Sequence, residues 1–410
     1  MIDIRELRAR PEYYREAAKQ KGIGERAVDE VLKLDEERRA LLVKVEQLRS
    51  ELNVKGKPSP EQLKKLQGVK VELGKLDEQL AKVEQQFEEQ LLQIPNLLAA
   101  DTPEGGEEAN REVRQWGERP QFGFEPKDHL ALAEGQGWLD FERGAKVAGS
   151  KFYYLFGPLV QLELAVTQLI MDMLGREGFV PALVPHMVST RVASGTGYLP
   201  RGEERQIYKI EGEDLNLVAT SEMPLTGLYA DEILEPHQLP ATYVGYSPSY
   251  RMEAGAYGKY SKGLYRVHQF NKLEMYVFCR PEDSTTWHRK LVDLEERICQ
   301  ALELPYRVVR IAAGDMGAPA YEKYDIEYWN PLEKTYRELM SCSNVTDFQA
   351  RRLNIRYRDE TGKPKFVHTL NGTAAAFSRM PIALLENHQQ ADGSIKLPQV
   401  LVKYLGRETL

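Results

Sequence analysis

The chain has 410 residues, 42% hydrophobic and 29% charged, with 55 Lys and Arg against 62 Asp and Glu for a net charge of -7. That length can bury more than one core, and that charge excludes a protein coated in basic surface while leaving room for a local basic patch. Three scattered cysteines (Cys279, Cys299, Cys342) make neither a disulfide framework nor a CxxC metal site, and no apolar run approaches membrane-spanning length.

In chain order, Met1 to Arg5 lack the apolar core of a secretory signal, so a cytoplasmic protein without a membrane anchor is expected. Residues 3–22 read as a short helical prelude. Val31, Leu34, Arg38, Leu41, Val45, Leu48 and Leu52 then step by three and four, a heptad seam broken once by Arg38. Gly56, Pro58 and Pro60 stop that helix, and a second seam runs through Leu66, Val69, Leu73, Leu76, Leu80, Val83 and Phe87. Two such helices predict an antiparallel coiled-coil hairpin over about 26–94, inside an N-terminal domain of residues 1–100. With roughly 30 residues each at 1.5 Å rise, they make an arm on the order of 45 Å, suited to reaching a partner protein or a nucleic acid. Its outward Arg38, Arg39, Lys44, Arg49, Lys64, Lys65, Lys70, Lys75 and Lys82 are interleaved with glutamates. That fits either a solvated mixed-charge face or a surface that reads RNA shape and phosphates.

Residues 101–125, with Pro103, Gly105, Gly106, Gly117, Pro120 and Gly123, read as a linker. From 126 to 410, helical patterns (159–177, 284–302) mix with β-rich runs (206–210, 215–219, 242–246, 274–279, 306–311, 325–329) in no βαβ rhythm. An α+β domain with a mainly antiparallel sheet is expected. Neither a P-loop nor a G-x-G-x-x-G opening a helix is present, so any nucleotide binds outside those geometries.

Tyr250-Arg251-Met252-Glu253 and the run from Leu264 to Glu274 flank a loop containing Gly255, Gly258, Lys259, Ser261, Lys262 and Gly263, which predicts an antiparallel hairpin. Strand alternation puts Arg251 and Glu253 on one face, and Arg266, His268 and Phe270 on one face of the second strand. A face so charged is either solvated or holds a charged ligand. Four more stretches carry polar groups in apolar settings or end a strand: Ala219 to Pro224, Tyr336 to Asn344, Thr369 to Arg379, and Gly178 to Pro185. In the third, Asn371-Gly372 predicts a turn, and Arg379 falls in the first turn of a helix over 380–387. A cation at that helix end is explained by a neighbouring acid or by a bound polyanion. No G-x-S-x-G or H-E-x-x-H occurs, and the inventory of arginines and glutamates suits electrostatic work on phosphates more than covalent catalysis.

The proline-ended strand at Pro185, Arg251-Met252-Glu253-Ala254-Gly255, and Gly372 to Arg379 before a helix resemble motifs 1, 2 and 3 of class II aminoacyl-tRNA synthetases. Arg266 to Glu274, Gly314-Asp315-Met316-Gly317, Asp325-Ile326-Glu327, Ser341-Cys342-Ser343-Asn344, Asp347 to Arg352 and Thr369-Leu370-Asn371, with the arm, are similar to the seryl-tRNA synthetases over essentially the whole chain. The resemblance implies a homodimer that activates serine with ATP and transfers it to tRNA(Ser), with tRNA(Sec) as a second candidate. It implies that Arg251 holds the ATP α-phosphate and the serine carboxylate, that Glu253 meets the adenine amino group, and that Phe270 stacks on adenine. Met252, Val267, Leu339 and Met340 complete the ATP contacts, Arg379 takes the terminal phosphate, and Glu338 and Ser341 sit at the phosphates with Mg²⁺. Thr220 and Glu222 would hold the serine amino group, Ser221 would join the serine site, and Glu274 and Thr373 would hold the serine hydroxyl; no zinc is implied. The chain departs from the family at Met252, at Lys259-Tyr260-Ser261-Lys262 and at Thr373 to Ser378. The competing expectation is a catalytically inactive paralogue that binds tRNA.

Overall fold

The computed structural model describes residues 2–53, 59–198, 207–253 and 262–410. The expected turn at 55–58, the strand start at Gln206 and loop residues Gly255, Gly258, Lys259 and Ser261 lie outside them. The chain divides into two compact units, Met1–Leu97 and Leu98–Leu410.

In the first unit, short helices at Ile4–Ala9 and Pro11–Gln20 precede α1 (Arg26–Leu52) and α2 (Pro60–Leu91). The heptad seam is their contact: Leu41, Val45, Leu80 and Val83 form its buried centre, with Leu34, Leu73 and Leu76 against them. The helices run antiparallel, since Arg49 pairs with Asp77 at 3.0 Å while the earlier Arg38 meets the later Phe87. Arg38 therefore belongs to the seam. Its guanidinium lies 4.8 Å from the Phe87 ring centroid and 3.2 Å from the fully buried Asp35, which Arg39 and Arg8 also approach. Ser59 and Gln62 form a reciprocal capping box that starts α2.

In the second unit, eight strands make one sheet: β1 (Arg111–Trp116), β2 (Val180–Leu183), β3 (Ala241–Tyr250), β4 (Gln269–Cys279), β5 (Tyr306–Arg310), β6 (Glu322–Asn330), β7 (Thr335–Thr346) and β8 (His368–Ala376). Their order is β1-β5-β6-β7-β8-β4-β3-β2. Neighbours pair antiparallel except β2 with β3, which is parallel. The main helices are α3 (Pro158–Arg176), α4 (Glu222–Gly227), α5 (Ser284–Ala301) and α6 (Met380–His388). Leu291, Leu294 and Ile298 of α5 join Met275, Val277, Cys342 and Leu370 in the main core. On β4 the alternate residues Tyr276 and Phe278 pack with Leu225, Leu353 and Tyr357 in a second cluster. Lys272 and Glu274 share that second parity, so the strand carries a polar stretch directly beside an apolar one. Among the described residues no helix is long and apolar enough to cross a membrane.

Three expectations are corrected. The stretch 101–125 is more than a linker, because 111–116 is edge strand β1, paired with β5, and Asp101 is ion-paired to the buried Arg310. Asn371-Gly372 is no turn but the middle of β8, paired on both sides. Glycine there serves close approach: a Cβ on Gly372 would lie 3.1 Å from Met275 Cε and 3.2 Å from Glu295 Oε1. Among the described residues of the run at 206–210, strand pairing is limited to an isolated bridge, Lys209 with Asn216.

Candidate active site

The hairpin of β3 and β4 pairs from Ala241 with Phe278 to Tyr250 with Gln269. Alternation ends there, short of Arg251, which corrects the expected faces. Glu253 adopts a left-handed φ of 47°, and Arg266 follows a single 3-10 turn at Gly263–Tyr265. Other contacts hold these residues. Arg251 N donates to His268 O at 2.9 Å, and His268 Nδ1 lies 2.9 Å from Arg251 O and 2.8 Å from the Tyr208 hydroxyl. Arg266 pairs with Glu253 at 2.9 Å, and the Arg251 guanidinium stands 5.2 Å from the centroid of the buried Phe270 ring. Met252 is exposed, and Val267 is buried in the core, leaving only its backbone to face a ligand. Lys262 ion-pairs with Asp128 at 2.7 Å, and the neighbouring Gly263 has a φ of 61° against His129. This end of the basic loop is anchored to its own domain.

Deeper in the sheet, Glu274 pairs in register with Thr373 of β8 on one side and Gly245 of β3 on the other. Glu274, Thr373, Thr220 and Glu222 are all buried. Lys272, two residues before Glu274 and on the same face, forms a buried ion pair with it and lies 3.4 Å from Thr220 Oγ1. The Glu222 carboxylate accepts from the Tyr198 hydroxyl (2.8 Å), Gln349 Nε2 (2.8 Å) and Asn371 Nδ2 (2.9 Å). Burial, then the charge of Glu274, push the Glu222 carboxyl up to about 7 against the hydrogen bonds from Gln349 and Tyr198 and the charge of Lys272. Ser221 differs from its neighbours. Its hydroxyl is fully buried against Gly245 O (3.2 Å) and Ser247 Oγ (3.1 Å), so only its backbone can meet a ligand.

Toward β7, Arg379 caps the start of α6 and pairs with Glu338 Oε1 at 2.8 Å, also donating to Glu338 O at 3.2 Å. Burial would raise the Glu338 carboxyl, but the charges of Arg379 and Lys323 outweigh it and hold it well below the usual range. Its side chain is still 44% exposed, so it faces open space beside Arg379. Ser341 lies opposite Asp325 of β6, whose carboxyl burial pushes up while Lys323, 3.2 Å away, opposes. Leu339 and Met340 bury their side chains in the main core, which limits them to backbone contacts. Among the described residues no group of three or more His, Cys, Asp or Glu could hold a metal.

The arrangement thus has an arginine-rich mouth (Arg251, Arg379 with Glu338) and a buried end lined by carboxylates and hydroxyls (Glu222, Glu274, Thr220, Thr373). It can receive a polyanion at one end and a small cationic, hydroxylated group at the other. Sequence reading missed Lys272, Tyr198, Gln349, Asn371 and Lys323 as members. Lys272 had a usable signal, standing two residues from both Phe270 and Glu274 in one strand. The others come together only through the fold.

The seryl-tRNA synthetase N-terminal domain model matches residues 1–98, and the tRNA synthetase class II core domain (G, H, P, S and T) model matches 207–388. The chain is 46% identical to a serine–tRNA ligase of Rubrobacter xylanophilus, over 100% of this chain and 99% of that one. Its fold matches the seryl-tRNA synthetase of Pyrococcus horikoshii complexed with ATP with a TM-score of 0.93 at 41% identity, covering 100% and 99% of the two chains. A cytoplasmic serine–tRNA ligase of Naegleria fowleri in complex with AMP matches with a TM-score of 0.86 at 33% identity, covering 97% and 95%.

Proposed function

The chain belongs to the seryl-tRNA synthetase family, and from that premise we propose how its residues divide the work. The protein is a serine–tRNA ligase of the class II synthetases: it activates serine with ATP to seryl-adenylate, releasing pyrophosphate, then transfers serine to the 3′ end of tRNA. The observation that carries the residue roles is the pairing of a partly exposed arginine-bearing cluster (Arg251, Arg379 with Glu338) with a buried polar cluster (Glu222, Glu274, Thr220, Thr373).

Arg251 bridges the α-phosphate of ATP and the carboxylate of serine, holding two anions close enough for in-line attack. That carboxylate is already a nucleophile, so this step requires no general base. Glu253 and the backbone of Met252 and Val267 take the adenine, with Phe270 beneath it. Arg379 takes the terminal phosphate. Glu338, ionised and partly exposed, and Ser341 offer the oxygen donors a hard cation prefers, so they would hold Mg²⁺ jointly with the phosphates, where it neutralises developing charge. The backbone of Leu339 and Met340 lines the same wall. Glu222, Thr220 and the backbone of Ser221 receive the serine ammonium, and Glu274 with Thr373 receives its hydroxyl. Alanine would leave that last pair unsatisfied, which can discriminate by on the order of 10⁴-fold.

The N-terminal hairpin reads tRNA(Ser), and tRNA(Sec) is a second substrate to be tried with its own transcript. The working unit is a homodimer in the cytoplasm. Supporting the dimer, Val160 and Leu164 of α3 and Val180 and Leu183 of β2 are exposed apolar side chains, Leu183 at 85%, beside an open sheet edge. The direct test of the residue roles is serine-dependent ATP–pyrophosphate exchange in Arg251→Ala. Loss of exchange by 100-fold or more, on the order expected for a transition-state contact, is the predicted result; unchanged exchange would remove Arg251 from the reaction.

A further inference from the structure

Gln349 reaches the site only through Glu222; it is fully buried and uses every hydrogen-bonding position its amide has. Its Oε1 accepts from the Tyr276 hydroxyl at 2.9 Å and from Thr369 Oγ1 at 2.8 Å. Its Nε2 donates to Thr196 O at 3.2 Å and to Glu222 Oε1 at 2.8 Å. The orientation is fixed by chemistry, because the Thr196 carbonyl can only accept, so the amino end must face it and Glu222. A carboxylate offers about four acceptor positions. On Glu222, Gln349 and Asn371 occupy Oε1 and Tyr198 occupies one position on Oε2, which leaves one on Oε2.

We propose that Gln349 is a positioning residue for serine recognition: it locks the Glu222 carboxylate so that one lone pair remains, aimed at the serine ammonium. The proposal deepens the functional reading above and rests on it. Hydroxyls from two strands set the amide, and the amide sets the acid, so the orientation of Glu222 is built into β4 and β8. The amide also favours the charged acid. Glu222 is faced by Glu274 and Lys272 on β4 and by the hydroxyls of Tyr198 and Tyr276, with Arg251 near Tyr198. Of these, burial and Glu274 favour the neutral form, and the hydrogen bonds from Gln349 and Tyr198 favour the ionised one. Removing the amide would therefore move the titration of Glu222 upward and weaken serine binding most at low pH.

The experiment is ATP–pyrophosphate exchange by the full chain from pH 6 to 9, with KM for serine and for ATP, in wild type, Gln349→Met, and the double variant Tyr276→Phe with Thr369→Val. Gln349→Met should raise the serine KM roughly tenfold at pH 7, leave the ATP KM unchanged, and shift the midpoint of kcat/KM for serine to higher pH. The double variant keeps the amide but frees it to turn over, and should shift both quantities the same way by less; it decides the matter if Gln349→Met does not fold. An unchanged serine KM, an equal rise in the ATP KM, or a loss independent of pH would overturn the proposal. A wild type without serine-dependent exchange would instead overturn the functional reading itself.

Discussion

Glu222, proposed to receive the serine ammonium, is also a residue whose burial links stability to pH. Its carboxyl titrates at about 7 in the fold against an ordinary value of 4.5, so the folded state holds the proton more tightly than the unfolded one. Stability therefore falls as pH rises from about 4.5 through 7, by about 3 kcal/mol for the full shift. Denaturant midpoints of the serine-free protein should drop between pH 5 and pH 8, and Glu222→Gln should remove this group's share of the drop; an identical slope in the variant would refute it. Lys272 is the second case. Removing it leaves Glu274 buried without its ion pair, so Lys272→Met should cost about 3 kcal/mol or more in urea unfolding. The residues with long-range roles were legible unevenly. Arg251, Glu338 and Arg379 drew notice because charged groups in strand-like or helix-start settings ask for partners, whereas Glu274 was named only through the family resemblance. Gln349 and Tyr198 carry no such signal, since an amide or a phenol becomes part of a site only when a distant strand reaches it.

Among the elements, β8 shows why local reading misled. Asn371-Gly372 has turn chemistry, and nothing local says that β7 and β4 will pair on either side. The glycine answers a packing demand from Met275, Cys342 and Glu295 behind the sheet. Gly372→Ala should therefore destabilise by about 1–3 kcal/mol through overpacking, read as a lower urea midpoint; a neutral effect would show that Met275 gives way freely. The stretch at 111–116 failed for a different reason. All six residues of β1 are exposed, so the strand leaves no apolar alternation to find. The helical hairpin was legible almost in full, because a heptad seam is a strictly local pattern. Even its flaw was informative: Arg38 covers Phe87 and meets Asp35, where an aliphatic residue would have made an ordinary seam.

For the whole molecule, the chain divides into two compact units, and the proposed function gives each its own task. On the proposed residue roles, every group assigned to adenylate formation lies beyond Leu98, so deletion of 30–90 should spare serine-dependent exchange while abolishing tRNA charging. Loss of both would show that the N-terminal unit also supports the catalytic fold. The overall architecture was readable because its motifs come in one fixed order, from the proline-ended strand to Arg379. The site was readable only in part, since its depth is set by strand register across β3, β4, β8 and β7. The central claim is that this site selects serine by its ammonium and its hydroxyl together. ATP–pyrophosphate exchange run with every standard amino acid in turn tests it most directly. Serine alone should support rapid exchange, with alanine lower by on the order of 10⁴-fold in kcat/KM; exchange of similar efficiency with alanine or threonine, or none with serine, would contradict it.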